Sequence, residues 1–324
     1  RINKLLDKMT RQKNLLNLFR PEPFTDHSSR KQYQVLRTEL GEGSVQAIAP
    51  REFKLNISQS PEESARRLKN LRQLTDDGIS GLKQLQILGF VHHDLNPRNI
   101  LKVGDNYKFS DFDGVTPIGE VSPSGAWELI FGSIEYEVKS NEENAGPVSD
   151  YFTLGSSIFF AMYGKPPIQL FAQRYTDGDI RKARSELYNN ATKREEFRKM
   201  IQEELLDTFK MMQPSEKAAK DYTVISKFLA AALTVDPQLR LEYLGGVLPE
   251  LPSKLKALNL PNLPNIVHEE KKDSLATKDA KHSATEVSES NKSLPKSEIQ
   301  PTVGNHGPTQ PVVTNHNPTH MNIK

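Results

Sequence analysis

Several polar side chains lie close together in residues 90–115, FVHHDLNPRNILKVGDNYKFSDFDGV. Two apolar segments in this stretch, ILKV and YKFS, are joined by the turn GDN, a pattern that predicts a β-hairpin. Asp94 and Asn99 precede the hairpin and Asp111 follows it. The hairpin is therefore expected to bring these three oxygen-bearing side chains together at one end.

Such a group of side chains indicates a particular chemistry. Mg2+ prefers one or two carboxylates and takes its other ligands from substrate phosphates and water. A further carboxylate that does not bind the metal can accept a proton from an attacking hydroxyl. The spacing H-x-D-x-x-x-x-N followed by D-F therefore favours phosphoryl transfer over a solvated pair of aspartates.

Composition limits the other classes of function. The chain has 324 residues, of which 36% are hydrophobic and 26% charged, as expected for one or two globular domains. Its net charge of +2 gives no electrostatic reason to expect nucleic acid binding. Without cysteine there are no disulfides, thiolate nucleophiles or zinc–cysteine sites. No apolar run reaches the roughly 18 residues of a membrane-spanning helix, and no signal peptide is visible.

The elements around the site fall into three zones. Residues 1–50 contain a predicted amphipathic helix, RINKLLDKMTRQKNLLNLF, whose apolar positions include Leu15, and then a strand in YQVLRTEL. Residues 51–260 form the main globular body and are mostly helical in pattern. Residues 261–324 form a low-complexity tail, rich in Lys, Glu, Ser, Thr, Asn and Pro from about residue 266 onward, which we expect to be disordered.

A long helix is predicted just before the site. Ser60 is its expected N-cap, Pro61 suits the first helical position, and Glu63 would complete a capping box. The helix continues with an apolar stripe that we expect to pack in the core. The stripe consists of Leu68, Leu71, Leu74, Ile79, Leu82 and Leu85.

The site stretch resembles the catalytic and magnesium loops of eukaryotic-type protein kinases, H-R-D-L-x-x-x-N and D-F-G. The resemblance implies that Asp94 is the catalytic base and that Asn99 and Asp111 hold Mg2+ against the phosphates of ATP. It also implies that His92 and Phe112 are buried behind the site. The fold implied is α+β and protein-kinase-like, with a mostly helical large lobe (residues 51–260) and a partial small lobe with the hinge (residues 1–50).

Later segments favour a protein kinase over antibiotic and choline kinases, which share the H-x-D-x-x-x-x-N loop. GSIEY resembles the protein-kinase segment GTPEY, and SDYFTLGSSIFFAMYGKPP resembles the helix that follows it. This implies that Asp150 is buried and binds the backbone near His92. LTVDPQLRL resembles the late DPxxR element and supplies Arg240. The resemblance covers about residues 60–260.

The stretch YQVLRTELGEGSV resembles the strand and hinge that contact adenine in kinases. The resemblance implies that Thr38 is the gatekeeper and that Glu39, Leu40 and Gly41 offer backbone groups to the base. Leu101 would lie beneath the adenine ring. We expect the Gly-rich loop and the phosphate-binding Lys to lie upstream of Arg1.

Four departures from the kinase pattern stand out. His93 replaces an Arg that binds an activation-loop phosphate, Asn96 replaces a Lys, Asp113 replaces a Gly, and no Glu is seen to pair with Arg240. A histidine is mostly neutral at pH 7, so His93 would bind a phosphate group much more weakly than the arginine it replaces. We therefore expect activity not to depend on phosphorylation of the candidate acceptors in the loop, Thr116, Ser122 and Ser124.

Taken together, these features predict a divergent cytoplasmic kinase that uses ATP and Mg2+ to phosphorylate protein hydroxyls, most simply those of Ser or Thr. A small-molecule phosphotransferase and a pseudokinase scaffold stay open as alternatives, as does secretion into a host cell. The partner expected is a protein substrate, with no nucleic acid and no membrane span. The charged helices at about residues 180–212 have a solvated face, with partner docking as the alternative.

Overall fold

The part of the chain that the computed structural model describes is a mixture of helices and small antiparallel sheets. It comprises residues 12–17, 22–26, 31–35, 38–55, 59–120, 128–137, 146–212 and 214–251, with the backbone alone for 22–26 and 31–35. This mixture is compatible with the α+β fold expected from the sequence. The predicted tail, residues 261–324, lies outside the described residues.

The strands are short and pair antiparallel. They are β1 Glu22–Asp26, β2 Lys31–Val35, β3 Gly43–Ser44, β4 Phe90–Val91, β5 Ile100–Val103, β6 Asn106–Phe109 and β7 Thr116–Pro117. Strand β1 pairs with β2, β3 with β5, β5 with β6, and β4 with β7. The hairpin predicted at ILKV and YKFS is confirmed as β5 and β6.

Helices make up most of the described residues. They are α1 Val45–Glu52, α2 Pro61–Ile87, α3 Pro147–Tyr163, α4 Pro167–Tyr175, α5 Ile180–Asn189, α6 Ala191–Met212, α7 Glu216–Ala232 and α8 Pro237–Val247. Short 3-10 turns span Phe112–Gly114 and Ile134–Glu137. Within the described ranges, none of the helices has the length and apolar character needed to cross a membrane. Helices α5 and α6 confirm that the charged stretch at about 180–212 is helical.

Helix α2 begins as its sequence predicts. The Ser60 hydroxyl accepts a hydrogen bond from the Glu63 amide at 3.2 Å, and Pro61 is the first helical residue. The other half of the predicted capping box, in which the Glu63 carboxylate would accept a hydrogen bond from the Ser60 amide, is wrong. The Glu63 carboxylate binds Arg66 and Arg67, one turn further on, because two guanidinium groups attract it more strongly than one neutral amide.

The apolar stripe of α2 is buried in the core, as predicted. On the same helix, Gly81 lies directly against the hairpin, since a Cβ atom there would come within 2.8 Å of the Phe109 ring. The Asp77 carboxylate accepts a hydrogen bond from the Tyr107 amide at 3.0 Å. Helix α2 therefore holds strand β6, which leads into Asp111.

The first predicted helix is wrong at Leu15. This residue forms a parallel bridge with Phe109, where the Leu16 amide donates to the Phe109 carbonyl and the Phe109 amide donates to the Asn14 carbonyl. Leu15 and Leu16 are both buried. The open edge of β6 offers backbone groups that must be paired, and this need overrides the helical spacing. The predicted helix otherwise falls largely outside the described residues.

Candidate active site

Helix α3 fixes the loop that carries Asp94. The Asp150 carboxylate is buried and accepts hydrogen bonds from the amides of His92 at 2.7 Å and His93 at 2.8 Å. Further along α3, the Ser157 hydroxyl donates to the Leu95 carbonyl at 2.6 Å. Burial raises the pKa of Asp150 to about 7, while the two amide bonds oppose this rise. The predicted burial and backbone contacts of Asp150 are confirmed.

Two side-chain amides orient the Asp94 carboxylate. Asn96 donates to one oxygen at 2.9 Å, and Asn99 donates to the other at 3.0 Å and to the Asp94 carbonyl at 2.8 Å. Asn96 also accepts a hydrogen bond from the Arg98 amide at 2.9 Å. From the sequence, Asn96 was noted only as the replacement of a positively charged lysine. In the structure it is a hydrogen-bond partner of Asp94.

The environment of Asp94 makes it a better proton acceptor. Burial foremost, and also the negative charge of Asp111, raise the pKa of Asp94, and the hydrogen bond from Asn96 opposes this change. A carboxylate with a raised pKa binds a proton more tightly, which suits a group that accepts a proton from a hydroxyl. The backbone also places Asp111 near Asp94, because the amide of the preceding residue, Ser110, donates to the carbonyl of Asn99, whose side chain binds Asp94.

Asp111 lies just after strand β6 and is exposed. Its backbone has a φ of 58°, and that of His93 has a φ of 71°. Positive φ is costly for residues other than glycine, and such strain is found preferentially at functional sites. The preceding residue, Ser110, joins the two sides of the site, because its amide donates to the Asn99 carbonyl at 2.9 Å and its carbonyl contacts the His92 ring at 3.0 Å.

His92 and Phe112 are buried behind these residues, as predicted, with ring centroids 5.5 Å apart. The amide nitrogen of Asn99 is committed to Asp94, so its side-chain oxygen is the atom that can bind a cation. Among the residues that the structure describes, no three His, Cys, Asp or Glu side chains come together as a metal site. One carboxylate and one amide oxygen suit Mg2+ that takes its other ligands from phosphates and water.

The predicted hinge contacts the predicted floor of the adenine site. A Cβ atom on Gly41 would lie 3.2 Å from that of Leu101, so these two residues touch. Leu40 is 92% exposed. Glu39 is used within the protein, because its carboxylate binds Lys108 at 2.7 Å and its amide donates to the Asn17 carbonyl at 3.3 Å.

Arg240 does have an acidic partner, contrary to the sequence interpretation. Its guanidinium binds both oxygens of Glu135, at 2.6 and 3.1 Å, and both side chains are buried. Ser149 donates a further hydrogen bond to Glu135 at 2.8 Å. Although burial opposes ionisation, Arg240 holds the pKa of Glu135 below its usual value. The interpretation was wrong because it looked for the acid after Tyr136, whereas GSIEY itself supplies it.

His93 is enclosed by two hydroxyl groups. Its Nδ1 lies 2.9 Å from the Tyr136 hydroxyl and its Nε2 2.6 Å from the Thr116 hydroxyl. Burial lowers the pKa of His93 to about 3, so the ring is neutral at pH 7. Thr116 is fully buried, so the expectation that it is a phosphate acceptor is wrong. The other two candidate acceptors lie outside the described residues.

Two arginines that the sequence analysis did not single out contact residues 128–133, in the described part of the loop that follows Asp111. Arg98 binds the Glu128 carboxylate at 2.8 Å. Arg184 of α5 is fully buried and donates to three backbone carbonyls, those of Leu129 at 2.9 Å, Gly132 at 2.8 Å and Ser133 at 2.6 Å. Arg184 lies in a strongly charged stretch, where no sequence signal separates a buried arginine from a solvated one.

Comparisons with known proteins find similarity to serine/threonine-protein kinases. No family model matches the chain. The chain is 32% identical over 102 residues to the probable serine/threonine-protein kinase PkwA of Thermomonospora curvata, across 30% of the chain and 13% of that protein. It is 29% identical over 167 residues to the probable serine/threonine-protein kinase irlD of Dictyostelium discoideum, across 47% of the chain and 11% of that protein. The chain is therefore similar to serine/threonine-protein kinases over part of its length, and these matches span a small part of each relative.

Proposed function

We propose that this chain carries the catalytic lobe of a divergent protein kinase, which transfers the γ-phosphate of ATP to Ser or Thr hydroxyls of a protein substrate. The observation that carries the proposal is the arrangement of Asp94, held by Asn96 and Asn99 close to Asp111 on a loop anchored by Asp150. Similarity to two serine/threonine-protein kinases supports it.

In this proposal each residue has a defined part. Asp94 accepts the proton of the substrate hydroxyl as the hydroxyl oxygen bonds to the γ-phosphorus and the bond to ADP breaks. Asn99 and Asp111 hold Mg2+, which neutralises the charge of the phosphates when bound. Leu101 and the backbone of Leu40 and Gly41 receive the adenine, whereas the amide of Glu39, the third expected hinge residue, already donates to the Asn17 carbonyl.

Two further groups support a protein kinase over a small-molecule phosphotransferase. The buried pair of Glu135 and Arg240 and the Asp150 contacts match segments whose resemblance is to protein kinases. Asp150 connects the loop that carries Asp94 to helix α3, and the Glu135–Arg240 pair connects residues 128–137 to helix α8. We infer that this segment forms the surface on which a protein substrate lies.

A kinase-like binding module is the second candidate, and Asp113 favours it. This carboxylate is exposed two positions after Asp111, where the kinase pattern has a glycine. A further negative charge close to the phosphates would oppose nucleotide binding. In this case the chain acts as a scaffold without phosphoryl transfer.

The test uses the natural full-length protein, radiolabelled ATP and Mg2+, with a generic protein acceptor, an aminoglycoside and choline offered separately. We expect label on the protein acceptor and its loss in Asp94→Asn. Asp105→Asn, an exposed residue at the far end of the same hairpin, is the matched control and is expected to keep activity. Label on a small molecule alone would support the other enzyme class, and no label with any acceptor would support the scaffold.

The remaining expectations about partners stay predictions. Helix α6 exposes Leu206 and Met211, which are 53% and 48% accessible, on the charged stretch that the sequence offers as a docking surface. A cytoplasmic location likewise remains an expectation from the sequence.

A further inference from the structure

The contacts of His93 join three separate parts of the chain. His93 lies next to Asp94 on the catalytic loop, Thr116 begins strand β7, and Tyr136 lies in the 3-10 turn Ile134–Glu137. The ring touches both hydroxyls, at 2.6 and 2.9 Å, and all three residues are buried. The ring of Tyr136 also packs edge-on against that of His93, with centroids 6.1 Å apart. The catalytic loop is therefore bound directly to the chain on both sides of the loop that follows Asp111.

The chemistry of these groups suits a neutral ring. A neutral imidazole has one N–H donor and one acceptor nitrogen, and a hydroxyl can serve either of them. Each ring nitrogen therefore has a suitable partner in one tautomer, with no charge involved. Because both nitrogens are engaged and the ring is fully buried, His93 has no donor left for a phosphate group.

Other buried contacts also hold residues 128–137. Arg184 binds the carbonyls of residues 129, 132 and 133, and Arg240 binds Glu135. These contacts attach residues 128–137 to helices α5 and α8. The loop that carries Asp94 is joined to the same residues by His93 with Tyr136 in the interior and by Arg98, which binds Glu128 at 2.8 Å, at the partly exposed surface.

We propose that His93 is a positioning residue, whose neutral ring fixes residues 128–137 through Tyr136, and the start of strand β7 through Thr116, relative to Asp94 without any phosphate group. The kinetic consequence rests on the proposed kinase function, but the structural consequence does not. The segment is held in place in the unmodified protein. Phosphorylation of the loop is therefore not needed to bring the substrate-facing segment to the catalytic base.

The structural test is hydrogen–deuterium exchange of the full-length protein, before and after phosphatase treatment. We expect residues 128–137 to be equally protected in both samples. In Tyr136→Phe, exchange in this segment should rise roughly tenfold, because the hydroxyl partner of the His93 ring is lost. Tyr175→Phe is the matched control, since it removes a hydroxyl from a tyrosine that is 39% exposed, and it should not change this segment.

A double-mutant cycle tests whether His93 is the partner responsible. In a His93→Phe background, Tyr136→Phe should have little further effect on exchange, because the interaction is already absent. Equal effects of Tyr136→Phe in both backgrounds would overturn the proposal. So would loss of protection at residues 128–137 in the wild-type protein after phosphatase treatment.

Kinetics separate a positioning role from a general loss of structure. In Tyr136→Phe, we expect kcat/KM for the protein acceptor to fall roughly tenfold while the affinity for ATP is unchanged. Equal weakening of ATP binding would contradict positioning of the substrate segment. If the wild-type protein transfers no phosphate, the proposed function fails, but the exchange experiment still decides the role of His93.

Discussion

Replacing Asp150 by alanine is expected to destabilise the protein strongly. The substitution leaves two buried amides, those of His92 and His93, without their acceptor. Each unpaired buried donor costs about 1–3 kcal/mol, so the free energy of unfolding should fall by about 2–6 kcal/mol. In a domain of this size, 1 kcal/mol corresponds to roughly 2–4 °C in Tm. We therefore expect Tm to fall by between about 4 and about 24 °C.

The assay combines thermal unfolding with hydrogen–deuterium exchange. Asp150→Asn keeps one acceptor oxygen and should lie between wild type and Asp150→Ala in Tm. Exchange at residues 90–95 should increase in both variants, since this segment contains the amides of His92 and His93, which lose their acceptor. The control is Asp207→Asn on α6, where the carboxylate is 67% exposed and a change of less than about 0.5 kcal/mol is expected. A folded Asp150→Ala protein with the Tm of the control would refute the reasoning.

Three other predictions concern stability. The buried rings of His92 and His93 have pKa values lowered to about 4 and about 3, while both titrate near 6.5 when unfolded, so the unfolded chain binds more protons below pH 6.5. The contribution of His93 is the difference between wild type and His93→Phe in urea unfolding from pH 6.5 to 5, and it should reach about 1.4 kcal/mol per pH unit, with the wild type losing more stability. Asp150, whose raised pKa acts in the opposite direction, is common to both proteins. Glu135→Gln should lower the free energy of unfolding by about 3–5 kcal/mol, because it leaves a buried guanidinium without its counter-charge, and an unchanged urea midpoint would contradict this. Gly81→Ala should cost about 1–3 kcal/mol by overpacking against the hairpin, whereas Gly246→Ala, which meets no atom within 4 Å, should be neutral or stabilising in the same urea series.

Local sequence patterns predicted the elements around the site because short-range rules determine them. The cap at Ser60, the apolar stripe of α2 and the hairpin at β5 and β6 depend on neighbouring residues. The burial of Asp150 was also predicted, through a resemblance that extends over a contiguous helix. The roles of Asp94, Asn99 and Asp111 remain predictions, although the structure brings these residues close together.

The errors arose where distant residues determine the outcome. Leu15 has helical spacing, yet the open edge of β6 holds it in an extended bridge. Thr116 looks like an accessible hydroxyl in a loop, but His93, on the loop that carries Asp94, binds it. Glu135 pairs with Arg240 across 105 positions of sequence, a contact that no local pattern contains.

Mg2+-dependent transfer of phosphate from ATP to a protein acceptor is the most direct test of the proposed site. The full-length wild-type protein, Asp94→Asn, Asp111→Asn and the control Asp105→Asn should be compared at the same fraction folded. We predict label on the acceptor with wild type and with Asp105→Asn. Asp94→Asn should lose at least about 100-fold, since general-base catalysis contributes roughly 100- to 10,000-fold. Asp111→Asn should also lose most of the labelling, because it removes the carboxylate that would hold Mg2+. Equal labelling by wild type and Asp111→Asn, in folded proteins, would contradict the assignment of this site.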